Sequence, residues 1–304
     1  MKGKLLIGLM VLPFIFAGYG NKAKLHVYEY PYDDNSIMNY TGDSYDYPKA
    51  NFYTDDSAEP NASFNFNGTQ YKLTYYETGQ KEFVPYEEEK YRNSDGVRLS
   101  FKKGTGELCG IQSDNGLRIS DLENPETEEE FREIADSFVK DYIAIENYTC
   151  ALTTEVAYFV QEGEKASRWY EEKDSFYANS SEMESVQYIF TYRRYLNDFI
   201  TNDMATVVLN PDGTLGRLIL ANTGAFEDVG KQLVGQDTLE SAISKKVTAI
   251  CSEGYQVENI QNDVMVCIDE NGKLFFFVEA KPTLRVASGD EHLEGTCYFI
   301  VAEE

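Results

Sequence analysis

The chain has 304 residues, 42 % of them apolar and 14 % aromatic, enough side chain for a packed core and too much for a disordered segment. Its 52 acidic against 27 basic residues give a formal charge of −25. That sets aside nucleic acid and anionic lipid as partners, because both are held by Lys and Arg clusters. The same surplus suits a solvated surface, or one that attracts basic proteins or Ca2+.

At the N-terminus Lys2 and Lys4 precede an apolar stretch from Leu5 to Ala17, and Ala17, Gly18 and Gly20 supply small residues for cleavage. This is the shape of a signal peptide over 1–20. An apolar run of about 13 residues is shorter than the roughly 20 that span a bilayer. The expectation is an exported protein with no integral membrane span in its mature part. The run Phe16-Ala17-Gly18-Tyr19-Gly20-Asn21-Lys22 resembles a bacterial lipobox with Tyr19 in place of the acylated Cys. A Tyr cannot carry the diacylglycerol, so a secreted or surface-associated protein is expected, with the lipid anchor in doubt.

Residues 21–62 are rich in Tyr, Asp and Asn with almost no aliphatic periodicity, and read as a flexible stalk. An aromatic sugar platform or a Ca2+ loop is the competing reading, although the Asp spacing does not fit an EF-hand. Phe64, Phe66, Tyr71, Leu73 and Tyr75 then alternate around Asn67-Gly68, the signature of a hairpin.

From Val97 onward the pattern repeats. Leu99 and Phe101 correspond to Val207 and Leu209 at a shift of 108, and Gly106 and Leu108 to Gly213 and Leu215 at 107. Phe131, Ile134, Ala135, Val139 and Tyr142 match Leu239, Ala242, Ile243, Val247 and Ile250, both sets carrying the i, i+3, i+4 stripe of an amphipathic helix. Thr127 with Glu130 and Asp237 with Glu240 read as capping boxes. Strand patterns at Val156, Tyr158, Val160 and at Val264, Val266, Ile268 follow at the same shift. The fold class expected is therefore α+β, built as tandem β-β-α-β-β repeats, each a helix packed on an antiparallel sheet. The division is 63–200 for the hairpin and first repeat, and 201–304 for the second.

The stretch Tyr188 to Tyr192, the run Tyr195 to Asp203, Val207 to Gly213, Asn222 to Phe226 and the helix from Asp237 together resemble the repeats of the YcdB/YcdC group, PepSY-like extracytoplasmic proteins of Gram-positive bacteria. The resemblance covers roughly 95–304. Its motifs are turn and strand positions, which specify fold before chemistry. It implies a non-catalytic cell-envelope binding or regulatory module, PepSY domains being associated with peptidase inhibition, with an envelope protein or wall glycan as partner. It carries over no functional residue.

Chemistry is sparse in the sequence. The two histidines, His26 and His292, sit in no metal-ligand spacing, and no hydrolase, P-loop or dinucleotide fingerprint appears. No catalytic, cofactor-binding or metal residue is assigned. Cys109, Cys150, Cys251, Cys267 and Cys297 are odd in number and widely spaced, which reads as buried thiols, with one bridge left open. A pairing of Cys109 or Cys297 with His292 is the weaker alternative. A pair of acids working as a secreted glycosidase-type hydrolase needs no local motif, and remains the second function class.

One segment distinguishes the two repeats. From Lys165 to Glu184 the first carries an insertion of about 20 residues, where the second has only Asp269 to Lys273. It holds the only tryptophan, Trp169, beside Tyr170, together with Phe176 and Tyr177. These four are the candidate partner-binding residues, because large amphipathic rings on a loop favour interfaces. The competing reading folds Trp169 back onto the sheet as a local staple.

Overall fold

The computed structural model describes residues 24–30, 42–119, 124–162, 165–180, 183–227, 229, 233–287, 289 and 291–303. The signal peptide expected over 1–20 and the lipobox-like run 16–22 lie outside them.

The chain opens with β1 (Leu25–Tyr30) and the short β2 (Asn51–Tyr53), followed by the hairpin of β3 (Asn61–Phe66) and β4 (Thr69–Gln80). Asn67 and Gly68 turn that hairpin with φ of 44° and 77°, the left-handed pair that an Asn-Gly step reaches at least expense. A meander follows through β5 (Glu87–Arg92), β6 (Val97–Lys102) and β7 (Leu108–Leu117), each antiparallel to its predecessor.

The first helix, α1 (Glu128–Val139), starts where the capping box was expected. Thr127 Oγ1 accepts from the Glu130 N–H at 3.3 Å, and Glu130 Oε2 accepts from the Thr127 N–H at 3.0 Å. Phe131, Ile134, Ala135, Phe138 and Val139 form its buried stripe. Next come β8 (Thr149–Glu162), β9 (Lys165–Lys173), β10 (Ser185–Leu196), β11 (Phe199–Leu209) and β12 (Leu215–Ala221). The second helix, α2 (Gln236–Ile250), buries Leu239, Ile243, Val247 and Ile250. It is not opened by Asp237 as the sequence suggested: the N-cap is Gly235, Asp237 lies in the first turn, and Glu240 accepts from the Gln236 side chain at 2.8 Å. The chain ends with β13 (Tyr255–Ile268), β14 (Leu274–Val286), the short β15 (His292–Glu294) and β16 (Cys297–Glu303).

The expected tandem α+β repeats are not the architecture. Among the described residues 54 % are strand and 12 % helix, and the strands join into one large mixed sheet, so the chain is predominantly β. The reason lies in which strand edges meet. β12 pairs with β7, and β11 pairs with both β12 and β10, giving the order β7-β12-β11-β10. The hairpin assigned to the second repeat is thus built into the sheet that α1 covers, and a division between residues 200 and 201 cuts the β10–β11 hairpin. A 108-residue periodicity in element type constrains neither of these pairings.

Three apolar clusters follow from this arrangement. The largest packs α1 on β4 to β8 and β10 to β12, with Phe131, Tyr188, Phe190, Tyr192 and Leu218 almost fully enclosed. The second packs α2 on β13, β14, β16 and β1, which continue the sheet through a short parallel contact, Ile200 with Met265 and Thr201 with Val266. The third lies on the opposite face of β14 and β16, where Phe275 and Ile300 meet Phe83 and a row of tyrosines.

That third cluster overturns the stalk in its described parts. β1 pairs with β16 from Leu25 opposite Glu303 to Tyr30 opposite Tyr298. Tyr45 packs 5.3 Å from Phe275 between ring centroids, Tyr47 lies 5.3 Å from Phe83, and Tyr30 lies 5.4 Å from Phe277. Tyrosines spaced at i, i+2 among aspartates read as polar by composition, yet each ring carries an apolar body that covers a sheet face while its hydroxyl stays near water.

Candidate functional site

The four proposed interface aromatics do not sit together in one loop. Trp169 and Tyr170 lie on β9, an edge strand whose described partner is β8 alone. Trp169 stands directly opposite Tyr158 and stacks on it with centroids 5.5 Å apart, but remains 56 % exposed. It is held by a neighbour without being enclosed. Tyr170 is as exposed and, by strand alternation, faces the other way. Lys173, on the Trp169 side, sits 4.5 Å over the ring of Tyr177, which is 39 % exposed. Tyr158, Trp169 and Tyr177 therefore form an aromatic row along one side of the β8–β9 ribbon. Phe176 is not part of it: it packs 5.9 Å from Phe131 and stacks on Tyr188 at 5.2 Å, in the main core. Arg168 pairs with Glu184 through its Nε and an Nη at 2.6–3.0 Å and anchors the ribbon to the chain that returns toward β10.

A second feature was not read from the sequence. On the face of the sheet away from α1, side chains of β4, β5, β6, β7 and β12 surround an open groove of about 330 Å3. Its floor is low because Ser100 and Gly110 are cross-strand partners. A Cβ at Gly110 would meet Ser100 Oγ at 3.0 Å and the Leu218 carbonyl at 3.1 Å, so a larger residue there would have to push its neighbours aside by a few tenths of an ångström. Charged side chains form the walls. Glu88 is 1 % exposed, with Oε1 2.8 Å from Lys81 Nζ. Lys90 meets Glu77 at 2.7 Å, and Arg98 grips Asp114 through two bonds of 3.0 and 3.3 Å. The available signal was the strand period, which puts Glu88, Lys90 and Arg92 on one face of β5 and the buried Tyr91 on the other.

A further cavity of about 650 Å3 opens past the end of α1, lined by Tyr86, Tyr142 and the turn Asn222 to Ala225 among others. Burial pushes the Tyr86 hydroxyl well above its usual range, and that hydroxyl accepts from the Asn222 N–H at 3.3 Å. Near that turn lies Asp203, whose carboxyl burial raises to about 6 despite the hydrogen bond from Tyr148 Oη at 2.6 Å. A carboxyl poised there is what a hydrolase would use. Asp203 is fully enclosed, however, with no route to a substrate in this conformation.

The cysteines are free, with Cys109, Cys267 and Cys297 buried. Burial, with the Glu88 carboxylate adding to it, lifts the Cys109 thiol to about 12, and burial lifts Cys297 to about 12 as well. Both remain protonated at neutral pH and are poor nucleophiles. His292 lies on β15 with Nδ1 3.0 Å from Glu258, which gives it a carboxylate partner of its own. Among the described residues no group of three or more His, Cys, Asp or Glu could hold a metal ion, and no helix is long and apolar enough to cross a membrane. Compared with protein families, with characterised proteins and with solved structures, the chain shows no significant match.

Proposed function

We propose that the chain is an exported, non-catalytic binding module of the cell envelope that captures its partner, an envelope protein or a wall glycan, through the aromatic ribbon β8–β9. The observation that carries this reading is Trp169: a large ring, 56 % exposed, fixed by stacking on Tyr158 on an edge strand. A preset aromatic surface loses little conformational entropy on binding and offers both apolar area and a polar rim. The leader-like N-terminus and the resemblance to the extracytoplasmic YcdB/YcdC group support the envelope setting, and the PepSY association makes inhibition of an envelope peptidase one form such binding would take.

The test replaces Trp169 and Tyr170 with Ala and measures capture of envelope proteins and wall glycans beside the melting temperature. Loss of capture with the melting temperature within a few degrees is the expected result. Unchanged capture would remove the ribbon from consideration, and a collapse in stability would return Trp169 to a structural role.

A further inference from the structure

We infer that the groove on the outer face of the sheet is a second binding site, for a short peptide bearing a free C-terminal carboxylate. This inference does not depend on the aromatic ribbon. Two observations at opposite ends of the groove carry it.

At one end is Arg217, on β12. It is exposed into the groove and has no carboxylate or other polar partner among the described residues. In a chain with 52 acidic and 27 basic residues, a guanidinium without an acid invites an anion from outside. Arg98, across Gln112 from it, carries the same charge on the same wall. At the other end is Glu88, on β5. Its side chain is 1 % exposed and lines the groove, and its Oε2 has no hydrogen-bond donor. A buried carboxylate oxygen left without a donor is costly, and a ligand N–H placed there relieves it.

The spacing between the two ends selects the ligand. β5 and β12 are three strand spacings apart, about 14 Å, and the Arg217 and Glu88 rows are displaced by four residues along the strands, about 13 Å. With both side chains reaching inward, a gap on the order of 10 Å separates the guanidinium from the carboxylate. A single amino acid is too short to touch both. An extended chain of about three residues, at roughly 3.4 Å each, fits. Its carboxylate takes the two-pronged contact with Arg217, its backbone crosses the low Ser100–Gly110 floor, and its amino-terminal N–H groups reach Glu88 Oε2.

Calorimetric titration at neutral pH and low salt tests this with trialanine, trialanine amide, N-acetyl-trialanine and orthophosphate as probes. Trialanine should bind at millimolar concentration or below, and amidation of its C-terminus should weaken binding at least tenfold. Arg217→Gln, a change at an exposed position that leaves the melting temperature near wild type, should do the same. N-acetylation should weaken binding to the wild type but make no difference to Glu88→Gln. Because Glu88 is buried and its variant can fail to fold, Ser100→Leu provides an independent check: it fills the floor, leaves the charges in place, and should abolish binding. Wild-type affinity in Arg217→Gln, or no heat with trialanine, would overturn the inference. Orthophosphate displacing the peptide as effectively as trialanine itself would do so as well, by reducing the groove to a bare anion site.

Discussion

Replacing Asp203 by Asn should stabilise the protein at high pH and leave it unchanged at low pH. Asp203 Oδ1 accepts from Tyr148 Oη at 2.6 Å, while Oδ2 lies 4.0 Å from Arg194 Nη1 without a hydrogen bond, and neither buried atom meets water. Burial outweighs the favourable contacts and raises the carboxyl from 3.8 to about 6. The folded protein therefore holds a proton between those two values that the unfolded chain has released. Stability falls as pH rises through this window and stays lower above it. A shift of about two units corresponds to roughly 3 kcal/mol. Asn presents a neutral group of the same shape, as the protonated acid does. The two proteins should then coincide near pH 4, and the variant should lead by about 2–3 kcal/mol at pH 8. Urea unfolding of both across pH 4 to 8 reads the difference directly, and titrations shared by both chains cancel. A difference that is flat with pH, or a variant less stable at pH 8, would refute the reasoning and show that the pair with Arg194 outweighs burial.

Other positions give sharper packing tests. Phe131→Ala empties the site where α1 meets Tyr188, with ring centroids 4.0 Å apart, and should lower stability by about 3–5 kcal/mol in thermal or chemical unfolding. Asn202→Ala removes the 2.7 Å bond from Asn202 Nδ2 to the Phe83 carbonyl, which ties the β4–β5 connection to β11; a loss of about 1–3 kcal/mol is expected, with faster amide exchange around Phe83. Replacing Tyr45 and Tyr47 together with Ser should expose 42–48 to limited proteolysis while the wild-type segment resists, and early cleavage of the wild type at Tyr45 or Tyr47 would restore the stalk. Tyr19→Cys should acquire palmitate label only if the run around it is a working lipobox, and label on the unaltered chain would contradict the expected absence of a lipid anchor.

Local features were legible because local physics sets them. The Asn67-Gly68 turn, the Thr127 to Glu130 capping box and the Phe131, Ile134, Ala135 and Val139 positions of the α1 stripe each depend on a few adjacent residues and stand where the pattern placed them, whereas Tyr142, expected on the same stripe, lies past the end of the helix and is 39 % exposed. Pairing was not legible, because alternation fixes which side chains share a face and says nothing about which edge a strand joins. Val207 and Leu209 read equally well in a separate second sheet or beside β10, and the structure puts them beside β10, facing α1. The tyrosines of 21–62 failed for a different reason. Composition counts Tyr beside Asp as polar, whereas Tyr30 and Tyr45 bury against phenylalanines 247 and 230 positions further on, contacts with no local signal.

The candidate sites divide the same way. Trp169 stood out in sequence as a single large ring in a segment lacking a counterpart, and its exposure depends mainly on a local pairing, Tyr158 opposite Trp169 in a hairpin. Phe176, from the same segment, has the same composition signal but crosses back over the sheet to Tyr188, so residue type alone could not separate the interface ring from the core ring. The groove required more still: Ser100, Gly110 and Arg217 come from three strands, and only the insertion of β12 beside β7 brings the last of them to the others. The strand arrangement that broke the expected repeat is therefore also what assembles the groove. Two self-contained β-β-α-β-β units would place Arg217 in a different sheet from Glu88, and neither end of the peptide site would exist.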